Sequence, residues 1–364
     1  MAASNAARLY ANEEAVALTR RAIAAADRLT GNARYSRVLA ANLQMGQIHV
    51  LISRFEDAIA DFEEAERVAA EACDVENRVR AICGGAMALF SFRRLEELRR
   101  EGERASELAA PSHSLVAQAS ADAVLAVERM NSGDVAAAEL RFNRAIPVLR
   151  QEKLWVQSLD TISARSLLHH MRLEYDQIEE TSAWAIEQAR KLGASFYVLE
   201  NLFFWAMALA NNGRLTQAAG ALREGMRLAE QNGERFLAPC MVNVLAWVRR
   251  EMADIEASVR LGLEGVRQGQ EAKSPEPGMY SRLHLAGQYV ALNELRLAEE
   301  QLSERSGNRT RISTSSGATR SAWTRSSRAI GWPRDDLKKA VAHAVSALEQ
   351  ANRTLSRKHI AWAR

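Results

Sequence analysis

The chain has 364 residues, of which 48% are apolar and 26% are charged, and it carries only 19 Gly and 6 Pro. This composition is typical of an ordered, helix-rich protein, and it excludes a collagen and a disulfide-stabilised mini-protein. The longest nearly apolar run, residues 201–210, is far shorter than the roughly 20 residues that cross a bilayer, and residues 1–14 show no signal peptide. We therefore expect a cytoplasmic protein without a membrane segment.

The formal charge of +3 comes from one stretch of the chain. Residues 305–334 hold seven arginines and no acidic residue, and without these arginines the formal charge is −4. The rest of the chain therefore lacks the basic excess that nucleic-acid-binding proteins carry.

A helical pattern recurs along the chain. In residues 214–229 the apolar positions follow one face of a helix, and the turn signal Asn211-Asn-Gly213 separates this helix from an apolar first helix before it. A small or apolar residue, which we call the anchor, opens the second helix of each copy. Between residues 58 and 298 the anchors are exactly forty residues apart. The anchors are Ala15, Ala58, Leu98, Ala138, Ile178, Ala218, Ser258, Ala298 and Ala340.

Two further positions of the repeat are also small. Seven residues after the anchor lie Ala22, Ala65, Ala105, Ala145, Ala185, Gly225, Gly265 and Ala347, with Arg305 as the one exception. Twelve residues before the anchor lie Gly46, Ala86, Ala126, Ser166, Ala206, Ala246 and Ala286. Because small side chains let helices approach closely, this phasing predicts tightly packed helix pairs.

The phasing resembles the tetratricopeptide repeat, whose small residues fall at the same offsets, over the whole chain except residues 305–334. The unit here is longer than usual, and the consensus Tyr and closing Pro are mostly missing. Long, degenerate repeats of this kind look like the arrays of bacterial ATPase-linked nucleotide cyclases and MalT-like transcriptional regulators. The resemblance implies an all-α fold, a right-handed superhelical solenoid of stacked antiparallel helix pairs. In such an array each pair is expected to contact only its neighbours.

The array has one interruption. We expect a repeat array over residues 1–304, an aberrant Ser/Arg-rich segment that is irregular or disordered over 305–334, and a terminal repeat helix with the start of a truncated next repeat over 335–364. Three explanations of the Ser/Arg-rich segment compete: a frameshifted stretch, a disordered loop, and a nucleic-acid-binding or phosphorylated insert. Without a packed first helix before it, the helix predicted at residues 337–355 should be the least stable element.

The sequence gives no sign of catalysis. It contains no phosphate-binding GxxxxGK[ST] loop, no HExxH, no GxSxG and no paired CxxC motif. The only histidine doublet, His169-His170, points its two rings in different directions on a helix, so one inward and one outward ring is favoured over a metal site. We therefore predict a protein that is not an enzyme and that has no catalytic residue, cofactor or metal.

The resemblance also implies where a ligand would bind. In that family, the first helices line a concave groove, and ligand contacts come from fixed positions around the residue twelve before the anchor. Carried onto this chain, these positions give Arg80, Met87, Phe90, Met130, Asp160, His170, Glu200, Phe203, Met207, Asn243, Trp247, Arg250 and Tyr280. Aromatic, Met and Arg side chains are the types that anchor peptides. The alternative is that Phe203, Met207 and Trp247 pack against the neighbouring repeat, and that Arg80, Glu200 and Arg250 are solvated surface.

Two functions remain open at this point. The first is a non-catalytic protein-interaction scaffold that holds a peptide or a helix in the groove. The partner would be a protein or peptide, including another domain of the same polypeptide, and neither a membrane nor a nucleic acid is expected. The second is a regulatory or sensor segment of a larger bacterial signalling ATPase, nucleotide cyclase or transcriptional regulator.

Overall fold

The structure of the protein is a computed structural model that describes residues 12–26, 28–52, 54–91, 94–271 and 275–303. Within these ranges the chain forms fifteen α-helices and a single 3-10 turn at Ala110–Ser112, and it forms no strand. This confirms the all-α prediction. The expectations for residues 305–334, for the helix at 337–355 and for the terminal repeat at 335–364 lie outside the described residues.

In chain order the helices are α1 (Asn12–Ala26), α2 (Gly31–Leu51), α3 (Phe55–Glu71), α4 (Val75–Ser91), α5 (Leu95–Ala109), α6 (Leu115–Ser132), α7 (Val135–Gln151), α8 (Trp155–Arg172), α9 (Tyr175–Leu192), α10 (Ser195–Asn211), α11 (Leu215–Asn232), α12 (Ala238–Glu251), α13 (Ile255–Glu271), α14 (Pro275–Ala291) and α15 (Leu295–Ser303). The even-numbered helices are the first helices of the predicted pairs and the odd-numbered helices are the second helices. No helix in the described ranges is long and apolar enough to cross a membrane.

The forty-residue period is visible in the backbone itself. Residues with positive φ end the second helices at positions 73, 113, 153, 193 and 233, and they end the first helices at positions 133, 173, 213, 253 and 293. A left-handed residue at the end of a helix lets the following amide bond back to the last turn. The amide of Arg214 accordingly donates to the carbonyl of Leu209 at 2.9 Å, and the amide of Asp254 donates to that of Arg249 at 2.9 Å.

The chain divides into two compact units. The first unit contains Met1–Arg165 and Trp184–Val198, and the second contains Ser166–Ala183 and Leu199–Arg364. In the first unit each helix from α1 to α7 packs against the next one, and the first helices α2, α4 and α6 also pack side by side. In the second unit α11 to α15 pack in the same way, with α12 beside α14. Each unit is therefore built from stacked antiparallel helix pairs.

The phased small positions are where the helices meet. The anchors from Ala15 to Ala298 are all fully buried, as are the small residues seven positions later from Ala65 to Ala185. Ala22, at the same repeat position in α1, is exposed. At the anchor Ser258 the hydroxyl donates a 2.6 Å hydrogen bond to the carbonyl of Ala246, so the two small positions of one repeat are in direct contact.

Contacts are not confined to neighbouring pairs, contrary to the expectation for a simple array. In the first unit, Phe55 at the start of α3 contacts Phe196 at the start of α10. These residues lie in different repeats and are 141 positions apart in sequence. The first unit is therefore held together by at least one contact between distant repeats.

Candidate functional site

In the first unit the candidate residues of α4 combine a charge with apolar surface. Arg80 is half-buried, and its Nη1 donates to Asn77 Oδ1 at 2.8 Å. Its Nε has no acceptor among the described residues. Burial lowers the pKa of the Arg80 guanidinium, and the charges of Glu76 and Asp74 oppose this effect. The guanidinium therefore keeps unused hydrogen-bonding capacity.

The apolar candidates in the first unit differ in how exposed their side chains are to solvent. Met87 and Phe90 lie one and four residues after the small residue Ala86, and both are half-buried. Met130 occupies the position of Phe90 in the next first helix, α6, but it is only 2% exposed. Most of α6 is buried in this way. The side chains of Met87 and Phe90 are therefore accessible, whereas that of Met130 is not.

Asp160 on α8 is the acidic candidate of the first unit. Burial raises the pKa of its carboxyl group to about 7, and no cation offsets this effect among the described residues. The side chain is half-buried and forms no hydrogen bond or ion pair in the described part of the chain. Since a carboxyl group in a poorly solvated site favours its neutral form, Asp160 keeps its proton to a higher pH than an exposed aspartate does.

In the second unit the apolar candidates are partly packing residues. Phe203 and Met207 of α10 pack against a buried cluster formed by Ile178, Phe204 and Ala208. The interpretation that these two side chains pack against the neighbouring repeat is therefore supported. Both nevertheless remain half-buried, so one side of each can still be reached.

Two polar candidates of the second unit lie on α8 and α10. His170 is half-buried, and its ring lies 5.9 Å from the Tyr175 ring between centroids. Its neighbour His169 is buried and bonds through Nδ1 to Glu174 Oε2 at 2.9 Å, so one histidine of the doublet points inward, as expected. Glu200 is also half-buried.

The remaining candidates lie on α12 and α14. Trp247 Nε1 donates to Glu251 Oε1 at 3.1 Å, and Arg250 Nη2 pairs with the same carboxylate oxygen at 2.8 Å. Asn243 is 6% exposed, and its Oδ1 has no donor among the described residues. The side chain of Tyr280 lies outside the described part of the structure. Arg250 is therefore neither a core residue nor a free cation, because it is held by its own helix.

Ser120 is a polar residue that the groove prediction did not include. It lies on α6, six residues before the small residue Ala126, and this is the repeat position that Arg80 and Asp160 occupy on α4 and α8. Ser120 is 1% exposed, and its hydroxyl has no partner among the described residues. The signal in the sequence was a polar side chain at the same register as Arg80, Asp160 and Glu200.

No group of three or more His, Cys, Asp and Glu side chains that could hold a metal ion occurs in the described ranges. Cys83 is buried and burial raises the pKa of its thiol, so it does not have the character of a nucleophile.

No family model matches the sequence, and no curated protein matches it. Solved structures are similar to it, among them a Signal Transduction ATPase with Numerous Domains from Pyrococcus horikoshii that has a tetratricopeptide repeat sensor. That match has a TM-score of 0.56 at 13% identity and covers 96% of this chain and 55% of that chain. The present chain thus spans little more than half the length of that ATPase.

Two further similar structures match over most of their own length. One is a Rap protein complexed with competence and sporulation factor, with a TM-score of 0.64, 11% identity, and coverage of 99% of this chain and 97% of that chain. The other is aspartyl phosphate phosphatase F from Bacillus subtilis, with a TM-score of 0.54, 10% identity, and coverage of 96% and 92%. Together with the helix pairs, these likenesses show a fold like that of the tetratricopeptide repeat proteins, as the small-residue phasing predicted.

Proposed function

We propose that this protein is a non-catalytic, cytoplasmic interaction scaffold that binds a peptide or a helix of a partner protein along the faces of its first helices. The observation that carries the proposal is the combination of half-buried apolar side chains with charged groups whose bonding capacity is unused. Met87 and Phe90 supply the apolar part, Arg80 supplies a cation, and Asp160 supplies a carboxyl group. Interfaces that hold peptides combine such anchors with a few polar groups that set orientation.

The structural neighbours support this proposal at the level of fold. The similar Rap protein is described in complex with competence and sporulation factor, so a helical-repeat protein of nearly the same extent holds a ligand. In the second unit, taken by itself, a binding surface would be formed by the candidate residues His170, Glu200, Phe203, Met207, Asn243, Trp247, Arg250 and Tyr280.

A regulatory or sensor role within a larger signalling protein is the alternative. It is favoured by the similarity to the ATPase with the tetratricopeptide repeat sensor, of which this chain spans 55%. In this role the partner of the groove would be another domain of the same polypeptide. Sequencing the coding DNA on both sides of this chain would test it, because an ATPase or cyclase domain in frame is expected for a sensor segment and not for a separate scaffold.

Selection from a displayed library of random peptides tests the main proposal. We expect the purified protein to enrich peptides that lose about tenfold or more in affinity when Met87 and Phe90 are both replaced by Ala. Leu140→Ala is the matched control, because Leu140 is an apolar residue on the second helix α7 and is 52% exposed. If the enriched peptides bind equally well to the Met87/Phe90 double variant and to the Leu140→Ala control, then they bind at another surface and the proposal is wrong.

A further inference from the structure

The turn edge of the second unit consists of the two turns that follow the first helices α12 and α14. The residues with positive φ in these turns are Ala253, at 62°, and Asn293, at 61°. In each turn the next amide donates to the carbonyl five residues before it, at 2.9 Å and 2.8 Å respectively. Because α12 and α14 pack side by side, the two turns lie on the same edge of the unit, one repeat apart.

The turn edge exposes apolar side chains at one register of the repeat. Met252 is 38% exposed and Leu292, forty residues later, is 47% exposed. Ile255 and Leu295, which begin α13 and α15, are half-buried at the next repeated position. Single exposed apolar side chains are common, but a recurring pair with two half-buried neighbours forms an apolar patch that is open to solvent.

The unpaired charges beside this patch are acidic. The basic side chains of the two turns are held by acids, as Arg249 with Asp254 at 3.5 Å, Arg250 with Glu251 at 2.8 Å and Arg296 with Glu300 at 2.5 Å. Glu256 and Glu294 are exposed, and neither forms an ion pair in the described part of the chain. The turn edge therefore offers two carboxylates to an incoming cation.

The chain itself contains a segment of complementary composition. The Ser/Arg-rich segment, residues 305–334, lies outside the described residues and carries seven arginines and no acidic residue. Its large apolar residues are Ile312, Trp323, Ile330 and Trp332. A second copy of the turn edge is a poor occupant by comparison, because it would bring Glu256 and Glu294 against the same carboxylates.

The Ser/Arg-rich segment starts within reach of the turn edge. The nine residues of α15, Leu295–Ser303, lead about 12 Å away from the edge at the helical rise of 1.5 Å per residue. An extended chain advances about 3.3–3.6 Å per residue, so roughly four residues are enough to return. Ile312 lies nine residues after Ser303. Because the segment is tethered, its effective concentration at the edge is on the order of millimolar, and a contact of moderate affinity keeps it bound.

We propose that the turn edge binds the Ser/Arg-rich segment of the same chain. Arginines of the segment pair with Glu256 and Glu294, and one of its large apolar side chains covers Met252 and Leu292. The contact neutralises a run of arginines that would otherwise attract polyanions. This surface lies on the turns and not on the faces of the first helices, so it is separate from the scaffold function.

Limited digestion of the full chain with trypsin tests the proposal, because trypsin cleaves after arginine and a bound segment is protected. The double variants Glu256→Gln/Glu294→Gln and Met252→Ser/Leu292→Ser remove the charges and the apolar patch and create no new trypsin site. We expect each of them to speed cleavage within residues 305–334 by about fivefold or more, since two surface contacts are lost. In the wild type the cleavage rate should not depend on protein concentration, because the contact forms within one chain.

Two matched controls lie on second helices of the same unit, away from the turns. Glu230 on α11 and Leu263 on α13 are exposed, so Glu230→Gln and Leu263→Ser should be cleaved at the wild-type rate. A synthetic peptide of residues 305–334 gives the rate for the unbound segment, and circular dichroism verifies that each variant is folded.

Two results would overturn the proposal. One is wild-type cleavage within residues 305–334 that is as fast as cleavage of the synthetic peptide. The other is an equal rate in the wild type and in both turn-edge variants. Neither result bears on the scaffold function, which is tested separately by peptide selection at Met87 and Phe90.

Discussion

The rings of Phe55 and Phe196 meet edge to face, with their centroids 6.2 Å apart and their planes at 77°. Both side chains are buried, at 4% and 5% exposure. Phe55 begins the second helix α3, Phe196 begins the first helix α10, and several helix pairs separate them in sequence. This contact joins distant repeats within the first unit, so unfolding of that unit should be more cooperative than nearest-neighbour stacking alone allows.

Removing this aromatic contact should destabilise the first unit. We expect Phe196→Ala to cost about 3–5 kcal/mol, because the truncation leaves a cavity in a packed core. A double-mutant cycle with Phe55→Ala should give a coupling of about 0.5–1.5 kcal/mol, the range found for aromatic pairs. Urea denaturation followed by circular dichroism measures both quantities. Fully additive losses would show that the two rings do not support each other.

Asp160 should make stability depend on pH. Its pKa is raised from the ordinary value of 3.8 to about 7 in the folded protein, so the folded state holds this proton more tightly than the unfolded state. The free energy of unfolding should therefore be highest at acidic pH, where Asp160 is neutral in both states. It should fall as the pH rises from about 4 to 7, and Asp160 should lower it no further above pH 7. Asp160→Asn removes this loss because the amide mimics the neutral carboxyl group.

The expected gain from Asp160→Asn is larger at pH 8 than at pH 5 by about 1–3 kcal/mol. One pKa unit corresponds to about 1.4 kcal/mol, and the partial exposure of the side chain reduces the full effect. Denaturant titrations of both proteins at the two pH values give this difference. Asp57→Asn serves as the control on the exposed face of α3. A gain that does not change between pH 5 and pH 8 would contradict the prediction.

Larger side chains at the phased small positions should overpack the helix crossings. Ala138, Ala145 and Ala218 are fully buried, and we expect Leu at any of them to cost about 1–3 kcal/mol. Ala22 offers a matched control, because it occupies the repeat position of Ala145 but is exposed in α1. Thermal unfolding should show a lowered midpoint for Ala145→Leu and little change for Ala22→Leu. Equal effects would mean that the small positions do not set the helix spacing.

Glycine should stabilise one of the turns. Ala253 ends α12 with φ of 62° and is exposed, whereas the equivalent positions 133 and 213 carry Gly. A left-handed conformation costs roughly 1–2 kcal/mol for a residue with a Cβ atom, so Ala253→Gly should raise the free energy of unfolding by about 1 kcal/mol. Ala136→Gly, on the exposed face of α7, should instead lower it by about 1 kcal/mol. Chemical denaturation of the two variants should show these opposite signs.

Register alone placed the candidate groove residues on first helices. The repeat positions identified Arg80, Met87 and Phe90 as side chains of one first helix, and the structure finds all three half-buried on α4. Register could not distinguish Phe90 from Met130, which is buried at the corresponding position of α6. The difference arises because the burial of a side chain depends on what covers its helix, and a repeat pattern records only the contacts within and between adjacent pairs.

The sequence by itself determined the all-α fold, the helix pairs and the forty-residue period, because these depend on local information: small residues where helices cross, and turns that recur at the same spacing. Only the tertiary structure decided that Phe55 meets Phe196, that Ser120 is buried without a partner among the described residues and that Asp160 is poorly solvated. The physical reason is that these contacts and degrees of burial depend on how several repeats pack together. A repeat pattern records the spacing of the helices, whereas the environment of one side chain depends on which other residues pack around it.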